Sequence, residues 1–232
     1  MKVLFVIRST SHFHYVQSVL EALFRRGHDV EALFEKTKEK WIKGEYTLPI
    51  EEFKTRFPSF IYGQAFSRSD HWRHVVMPAR VLLNYRRYLF AKNQSDYFRE
   101  RNVKYLPFIL RLFLKFPGAH FLMRSDIVAK LLNVVEENAG VDPTIFQQVK
   151  NSKADIVLAT LGGMRYGTMD LDYLKAAKIL GIKTAVLALS WDSVSNKAYL
   201  QIKPDISALD ISIPCGTQKA ISRTMYGYLE KV

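Results

Sequence analysis

The sequence predicts an α/β protein: a Rossmann-like, three-layer domain with a parallel sheet and a helical insertion. Toward both ends of the chain, short continuous apolar runs alternate with amphipathic helical periods. Continuous apolar runs are typical of strands buried on both faces, and short strand–helix–strand connections favour parallel pairing. From about residue 68 to residue 140, helical periodicity without a clear strand indicates the insertion.

The amino end contains a strand, a helix and a second strand. Residues 2–8 form an apolar, β-rich run that ends in a polar turn. Apolar residues then recur at helical spacing over residues 12–26, and Gly27 is typical of the residue that ends a helix. Residues 29–34 are the second predicted strand, so the unit is typical of a parallel α/β sheet.

Helices dominate the prediction for the middle of the chain. We expect them over 71–90, 107–116 and 127–138, with Pro78 at a helix start or a kink. In the first helix we expect five apolar side chains to face inward: Val75, Val76, Ala79, Leu82 and Leu83. Its arginines are expected largely on the other faces: Arg73, Arg80, Arg86 and Arg87.

The last third of the chain returns to alternating strands and helices. Asp142 and Pro143 are typical of a helix N-cap and a first helical position, and that helix is expected to reach about Asn151. Further strands are predicted over 154–159, 183–189 and 206–213, and further helices over 170–180 and 217–228. We therefore predict a single domain over residues 1–232.

Composition narrows the class of protein. The chain is 48% hydrophobic, which is enough for a sizeable core, and it has no apolar run near 18 residues that would predict a membrane-spanning helix. Its single cysteine, Cys215, allows no internal disulfide and offers no metal cluster. We therefore expect a cytoplasmic protein.

The positive charge is concentrated in the middle of the chain. Residues 68–130 hold thirteen Lys/Arg and four Asp/Glu, which gives +9 of the total net charge of +12. Such a segment is typical of proteins with an anionic partner, such as lipid headgroups, nucleic acid or a phosphorylated substrate. The alternative is an ordinary solvated basic face.

The loop after the first strand excludes one class of site and suggests another. It contains no glycine, so it is not a dinucleotide-binding loop, and the chain has no Walker A motif. It does place His12 and His14 at a helix N-terminus, where the helix dipole favours a neutral imidazole that can act as a general base. Alternatively, Ser11 or Thr10 caps the helix and the histidines bond only locally.

Two later loops also follow predicted strands, at the edge where α/β sheets bind ligands. Gly162 and Gly163 allow close approach of a ligand or simply a tight turn, and Arg165 suits a phosphate contact unless it is merely solvated. Trp191 and Asp192 combine ring stacking with a hydrogen-bonding carboxylate, which suits a sugar. The alternative is a core tryptophan beside a turn-capping aspartate.

Three segments resemble bacterial glycosyltransferases of the two-domain GT-B type. Residues 11–15, Ser-His-Phe-His-Tyr, and residues 20–30, which end in Arg-Gly-His-Asp-Val, resemble the amino end of that family. Residues 190–197 resemble its Ser-Trp-Asp-Asn-x-x-x-Lys segment. Ser11 replaces the family's glycine, and Ser193 stands where the family has asparagine.

The resemblance implies roles for these residues. His12 would remove the proton of an acceptor hydroxyl, with Ser11 and His14 beside it. Four residues of the later segment would line the cleft of the enzyme: Trp191, Asp192, Asn196 and Lys197. Lys197 would face a phosphate of the donor. The donor would be a nucleotide sugar, with no cofactor. No metal is expected either, because the Asp-x-Asp spacing of residues 170–172 opens a predicted helix, where carboxylates favour the helix dipole and need no metal.

The expected function follows from this resemblance, which covers the first 35 residues and about residues 155–219. The chain would be the acceptor-binding half of a nucleotide-sugar-dependent glycosyltransferase that acts on a lipid-linked or envelope polysaccharide acceptor. Without the donor-binding domain it would be inactive or weakly active, unless a partner chain supplies that domain. The alternative is a non-catalytic basic module that binds a partner protein or an anionic membrane surface. The membrane surface would be the inner face of the membrane. We do not expect nucleic-acid binding, because the chain has no recognised motif for it.

Overall fold

The computed structural model describes residues 1–35, 48–90, 100, 103–160, 169–189 and 202–209. Its strands are β1 (Lys2–Ile7), β2 (Asp29–Glu35), β3 (Ile61–Ala65), β4 (Ile156–Thr160), β5 (Lys183–Ala188) and β6 (Ile206–Leu209). They form one parallel sheet in the order β3-β2-β1-β4-β5-β6. This sheet, with helices on both faces, confirms the predicted fold class.

The helices follow in chain order, and their bounds are close to the predicted ones in both outer thirds of the chain. They are α1 (Phe13–Arg25), α2 (Leu48–Arg56), α3 (Arg73–Phe90), α4 (Phe108–Phe113), α5 (Pro117–Arg124), α6 (Asp126–Asn138), α7 (Pro143–Ser152) and α8 (Met169–Ile179). The strand predicted over 206–213 is described as far as Leu209, and the helix predicted over 217–228 lies outside the described residues.

Successive side chains along each strand point to opposite faces of the sheet, and helices pack on both faces to give three layers. In β1, Val3, Phe5 and Ile7 face one side, where they pack against buried residues of α1 and α2: Phe13, Val16, Leu20, Ile50 and Phe53. Leu4 and Val6 face the other side, where they pack against buried residues of α7 and α8: Ile145, Val149, Tyr173 and Leu174. A strand buried on both faces needs a continuous apolar run, which is why β1 is recognisable in the sequence.

The predicted helix ends are confirmed at three positions. Gly27 and Gly181 have φ angles of 72° and 69°, a left-handed conformation that glycine adopts without strain at the end of a helix. Asp142 is the N-cap of α7, and its carboxylate accepts hydrogen bonds from the backbone N–H groups of Thr144 and Ile145.

Helices α3 to α6 form the insertion between β3 and α7, and they have a core of their own. Its buried members are Val81, Leu82, Tyr85, Leu89, Leu106, Leu114, Ala119 and Met123. Pro78 lies inside α3 and not at its start. The helix predicted over 107–116 is shorter, because α4 ends at Phe113 and Pro117 starts α5. Within the described ranges, no helix is long and apolar enough to cross a membrane.

The prediction for the inward face of α3 was partly wrong. Arg80 and Arg86 are buried, at 2% and 7% exposure, whereas Val75 is 47% exposed. The guanidinium of Arg80 forms paired hydrogen bonds with the carboxylates of Glu136 on α6 (2.7 and 2.8 Å) and Asp172 on α8 (2.8 and 3.0 Å). An arginine can be buried when its charge and all of its donors are satisfied in this way.

Two further cations belong to this buried charge cluster: Lys175, and Arg68, whose Nε atom lies 3.4 Å from the Asp172 carboxylate. The ammonium group of Lys175 lies 2.8 Å from the Glu136 carboxylate. Burial alone raises the pKa of Glu136, but hydrogen bonds and attraction from Arg80 and Lys175 outweigh it, so the net direction is downward. Burial likewise lowers the pKa of Arg80, and its two carboxylate partners reverse the direction. The cluster joins the insertion to α8 through ionised groups rather than apolar contacts.

The loop between β3 and α3 is fixed by the same region. Arg68 is fully buried and donates to the backbone carbonyl of Gly140 at 2.6 Å. The Asp142 carboxylate accepts hydrogen bonds from the N–H groups of Ser69 and Asp70, at 2.8 and 3.1 Å, besides capping α7. Burial raises the pKa of Asp142, but these backbone hydrogen bonds lower it more.

Three elements were not predicted from the sequence: α2, β3 and α5. Strand β3 is the edge strand next to β2, and its short run contains Gly63 and the exposed Gln64. An edge strand needs fewer apolar residues than a central one, so its pattern is weak.

Candidate functional site

The carboxyl ends of β1 and β4 meet in the middle of the sheet. Strands β2 and β3 follow on one side of β1, and the chain then crosses over so that β4, β5 and β6 follow on the other side of β1. Open α/β sheets bind ligands outside the carboxyl ends of their strands, at the point where the strand order reverses. The loop after β1 and the last residue of β4 lie at this point and define the candidate site.

A single turn of 3-10 helix, Thr10–His12, joins β1 to α1. The hydroxyl of Ser9 accepts a hydrogen bond from the N–H of Ser11 at 3.2 Å, and the two serine hydroxyl oxygens are 2.7 Å apart. The N–H of His12 donates to the carbonyl of Ser9 at 3.0 Å. The N-cap residue of this turn is Ser9 and that of α1 is His12, so the alternative in which Ser11 or Thr10 caps the helix is wrong.

His12 and His14 occupy different environments despite their spacing. His12 is the N-cap residue of α1 and is half-buried, and its ring centroid lies 6.0 Å from that of Tyr15. His14 is exposed in the first turn of the helix, where its ring centroid is 3.8 Å from that of Tyr15. Of the two, His12 sits at the junction of strand and helix, where a ligand at the switch point would lie.

Thr160 links the two central strands at this edge. It is the last residue of β4 and is buried, and its side-chain oxygen accepts a hydrogen bond from the N–H of Arg8 at 3.2 Å. This bond fixes the start of the loop after β1 against the end of β4. The sequence analysis did not identify Thr160, because nothing in the sequence places it beside Arg8, 152 positions away.

Glu35 is a further group at this edge that the sequence analysis missed. It ends β2, the strand that pairs with β1, and is half-buried, with the hydroxyl of Ser67 3.4 Å from its carboxylate. Burial raises the pKa of Glu35, although the positive charge of Arg8 and the hydrogen bond from Ser67 act in the opposite direction. A carboxyl group of raised pKa at a ligand-binding edge can hold a proton and donate it.

The arrangement suits proton transfer to or from a hydroxyl compound. His12 lies at the amino-terminal end of α1. The neighbouring hydroxyls of Ser9 and Ser11 can bond to a polar ligand. In the described part of the chain, no group of three or more His, Cys, Asp or Glu side chains is placed to hold a metal ion.

All of the other predicted site residues lie outside the described residues. These are Gly162, Gly163, Arg165, Trp191, Asp192, Asn196 and Lys197. In the chain they follow Thr160 and Ala188, the last residues of β4 and β5. Their roles remain predictions, whereas Ser11, His12 and His14 are described together in one loop.

Asp205 has a structural role at the opposite edge of the sheet. The Asp205 carboxylate accepts hydrogen bonds from the N–H and the hydroxyl of Thr184, at 2.8 and 2.7 Å. The hydrogen bond from the Thr184 hydroxyl and, after it, the one from the Thr184 N–H lower the pKa of Asp205. They fix the start of β6 beside the start of β5, so Asp205 supports the sheet and not the ligand edge.

Comparison with known proteins finds similarity to solved structures. No protein-family model matches the chain, and no curated protein matches it. The crystal structure of the glycosyltransferase VinC in complex with DTDP aligns over 83% of this chain and 36% of that one, at 11% sequence identity and a TM-score of 0.38. This chain therefore spans 36% of the length of the VinC structure.

Proposed function

We propose that this chain is the acceptor-binding half of a nucleotide-sugar-dependent glycosyltransferase that works in the cytoplasm. The observation that carries the proposal is the position of His12. It caps α1 directly after β1, at the carboxyl edge and beside the switch point between β1 and β4. The sequence resemblance around residues 11–15 and 20–30 assigns a general base to this same position.

In the proposed reaction, His12 takes the proton of an acceptor hydroxyl. The acceptor oxygen forms a bond to the anomeric carbon of the donor sugar, and the bond from that carbon to the nucleoside diphosphate breaks with its electron pair. A positioned base of this kind contributes about 10²–10⁴-fold to a proton-transfer step. Ser11 and His14 contact the acceptor beside the base.

The donor side of the reaction lies beyond the described geometry. We assign Trp191, Asp192, Asn196 and Lys197 to the sugar and phosphate of the donor, with Gly162, Gly163 and Arg165 in the same cleft. A donor-binding domain, on this chain or on a partner chain, would supply the nucleotide contacts. The acceptor class we propose is a lipid-linked sugar or a growing envelope polysaccharide.

A glycan array tests the acceptor role with the chain alone. The fluorescently labelled protein is applied to free and polyprenyl-linked oligosaccharides, together with His12→Gln and Ser11→Ala variants. We expect binding to at least one glycan class, and a loss of about five- to tenfold in affinity for that class in His12→Gln, since one hydrogen bond to the acceptor hydroxyl is lost.

His74→Gln is the matched control, because His74 is exposed in the first turn of α3, far along the chain from the candidate loop. This control should bind as the wild-type chain does. Absence of binding to every glycan, or equal weakening by His12→Gln and His74→Gln, would contradict the proposal.

A further inference from the structure

The insertion exposes large apolar side chains where a solvent-facing helix normally carries polar ones. Phe121 is 83% exposed and Ile109 is 78% exposed, on α5 and α4. We call this surface the α4–α5 face, and its apolar members are Phe108, Ile109, Phe116, Phe121 and Leu122. The opposite sides of the same helices already fill the core of the insertion. Several exposed large apolar side chains on two consecutive helices are typical of an interaction surface.

The charge of this segment has one sign. Residues 103–124 contain four basic residues and no Asp or Glu: Lys104, Arg111, Lys115 and Arg124. Arg111 lies over the ring of Phe108, with its guanidinium carbon 5.9 Å from the ring centroid. Basic and apolar groups are thus mixed on one surface, in contrast to Arg80 and Arg86, whose charges are buried against carboxylates or carbonyls.

A cavity of about 480 Å³ opens beside the α4–α5 face. Apolar side chains line part of it, including Val103, Leu112 and Leu114. Lys104, Arg111 and Lys115 also line it, and among the described residues Glu100 adds a carboxylate. A cavity with an apolar wall and a surplus of positive charge suits a ligand with a hydrocarbon part and an anionic part.

We propose that the α4–α5 face binds the surface of a bilayer that contains anionic phospholipid, with a lipid phosphate at the basic side of the cavity and exposed aromatics among the acyl chains. Charge complementarity supports this occupant, because four cations lie on the segment and the headgroup is anionic. Exposed phenylalanine and leucine beside basic residues are typical of segments that lie in the membrane interface. This inference goes beyond the sugar-transfer proposal and does not depend on it.

Vesicle co-sedimentation tests the proposal with the full chain. One set of vesicles contains phosphatidylglycerol and phosphatidylcholine in equal parts, and the other contains phosphatidylcholine alone. We expect the protein to sediment with the anionic vesicles and to remain in solution with the neutral ones. Added salt should weaken the binding, since part of it is electrostatic.

Two variants separate the charges from the aromatics. Arg111→Ala combined with Lys115→Ala should weaken partitioning about thirty-fold, as expected for the loss of two basic residues at an anionic surface. Phe121→Ser leaves the net charge unchanged and should weaken it about tenfold, because one exposed aromatic no longer enters the interface. Both sites are solvent-exposed, and circular dichroism confirms that each variant is folded.

A charge-matched control excludes a general effect of net charge. Arg26→Ala combined with Lys150→Ala removes two exposed cations, one directly after α1 and one on α7, outside the insertion. This variant should bind anionic vesicles as the wild-type chain does. Equal sedimentation with both vesicle types, no sedimentation with either, or equal weakening by the control would each overturn the proposal. Binding of a DNA duplex in preference to anionic vesicles would also overturn it.

Discussion

The sheet and the insertion are stabilised in different ways. Around the sheet, α1, α2, α7 and α8 bury apolar side chains against alternating strand residues, and two nearly continuous apolar cores result. The insertion has a smaller apolar core, and its link to α8 is the charge cluster of Arg68, Arg80, Glu136, Lys175 and Asp172. The stability from apolar contacts depends on the area they bury, whereas the stability from the charge cluster depends on each charge keeping its partners.

This difference matters for how the molecule responds to change. Apolar contacts weaken gradually as atoms are removed, since the cost follows the area and the cavity that is left. A buried ion cluster is more sensitive, because removal of Arg80 leaves the Glu136 and Asp172 carboxylates buried with only part of their compensating charge, from Lys175 and Arg68. We therefore expect single substitutions at the charge cluster to affect stability more than comparable ones at the apolar cores.

The largest effect is expected from Arg80→Ala. It removes the cation between Glu136 and Asp172, which are both almost fully buried. We expect a loss of about 3–5 kcal/mol in the free energy of unfolding, measured by urea denaturation. Arg73→Ala, at the exposed start of the same helix, should cost less than about 0.5 kcal/mol. Equal effects of the two substitutions would show that the cluster does not hold the insertion.

An apolar substitution gives the comparison value. Leu174→Ala, on the fully buried face of α8, should cost about 2–4 kcal/mol by the same measurement. Leu131→Ala provides the control, because Leu131 is 61% exposed on α6 and should contribute little. A loss at Leu174 well above that of Arg80→Ala would reverse the comparison between the two regions.

Asp142→Ala should have an intermediate effect, of about 1–3 kcal/mol. The substitution removes the cap of α7 and the hydrogen bonds to the N–H groups of Ser69 and Asp70. Hydrogen exchange locates the change, and faster exchange is expected at Ser69 and Asp70 as well as in the first turn of α7. Faster exchange in α7 alone would mean that the loop before α3 is held by other contacts.

The smallest effect concerns pH. The pKa of Asp142 is lower in the folded protein than its ordinary value of 3.8, because backbone hydrogen bonds outweigh burial. A lowered pKa contributes stability above the unfolded value, and this contribution disappears as the pH falls through the folded value. The stability difference between wild type and Asp142→Asn should therefore shrink as the pH falls below 3.8. A constant difference between neutral and acid pH would contradict this assignment.

The same contrast explains what the sequence could predict. The strands and helices around the sheet carry apolar periods, so β1, β2, β4, β5 and α1 were predicted from pattern alone. The charge cluster has no local signature, because Arg80 meets its partners 56 and 92 positions away in the chain. On a helical pattern such an arginine is indistinguishable from a solvated one, and Arg80 and Arg86 were therefore expected on the outer faces.

The candidate site divides in a similar way. Ser11, His12 and His14 are neighbours in sequence, so residue types and the family resemblance identified them together. Thr160 and Glu35 reach the same edge only because β4 and β2 pair on either side of β1. Sheet order, which the sequence does not show directly, supplies these contributions to the site.

The location of the acceptor site is the central claim, and amide NMR tests it most directly. The ¹⁵N-labelled chain is titrated with a glycan that binds on the array. Alternatively, a panel of methyl glycosides is used at a concentration of about 10 mM, which is about ten times a Kd of 1 mM. We predict shifts grouped at the carboxyl edge, at Ser9, Ser11, His12, Glu35 and Thr160, that are reduced in His12→Gln. Shifts confined to other parts of the chain, or none at saturation, would show that this edge does not bind the acceptor.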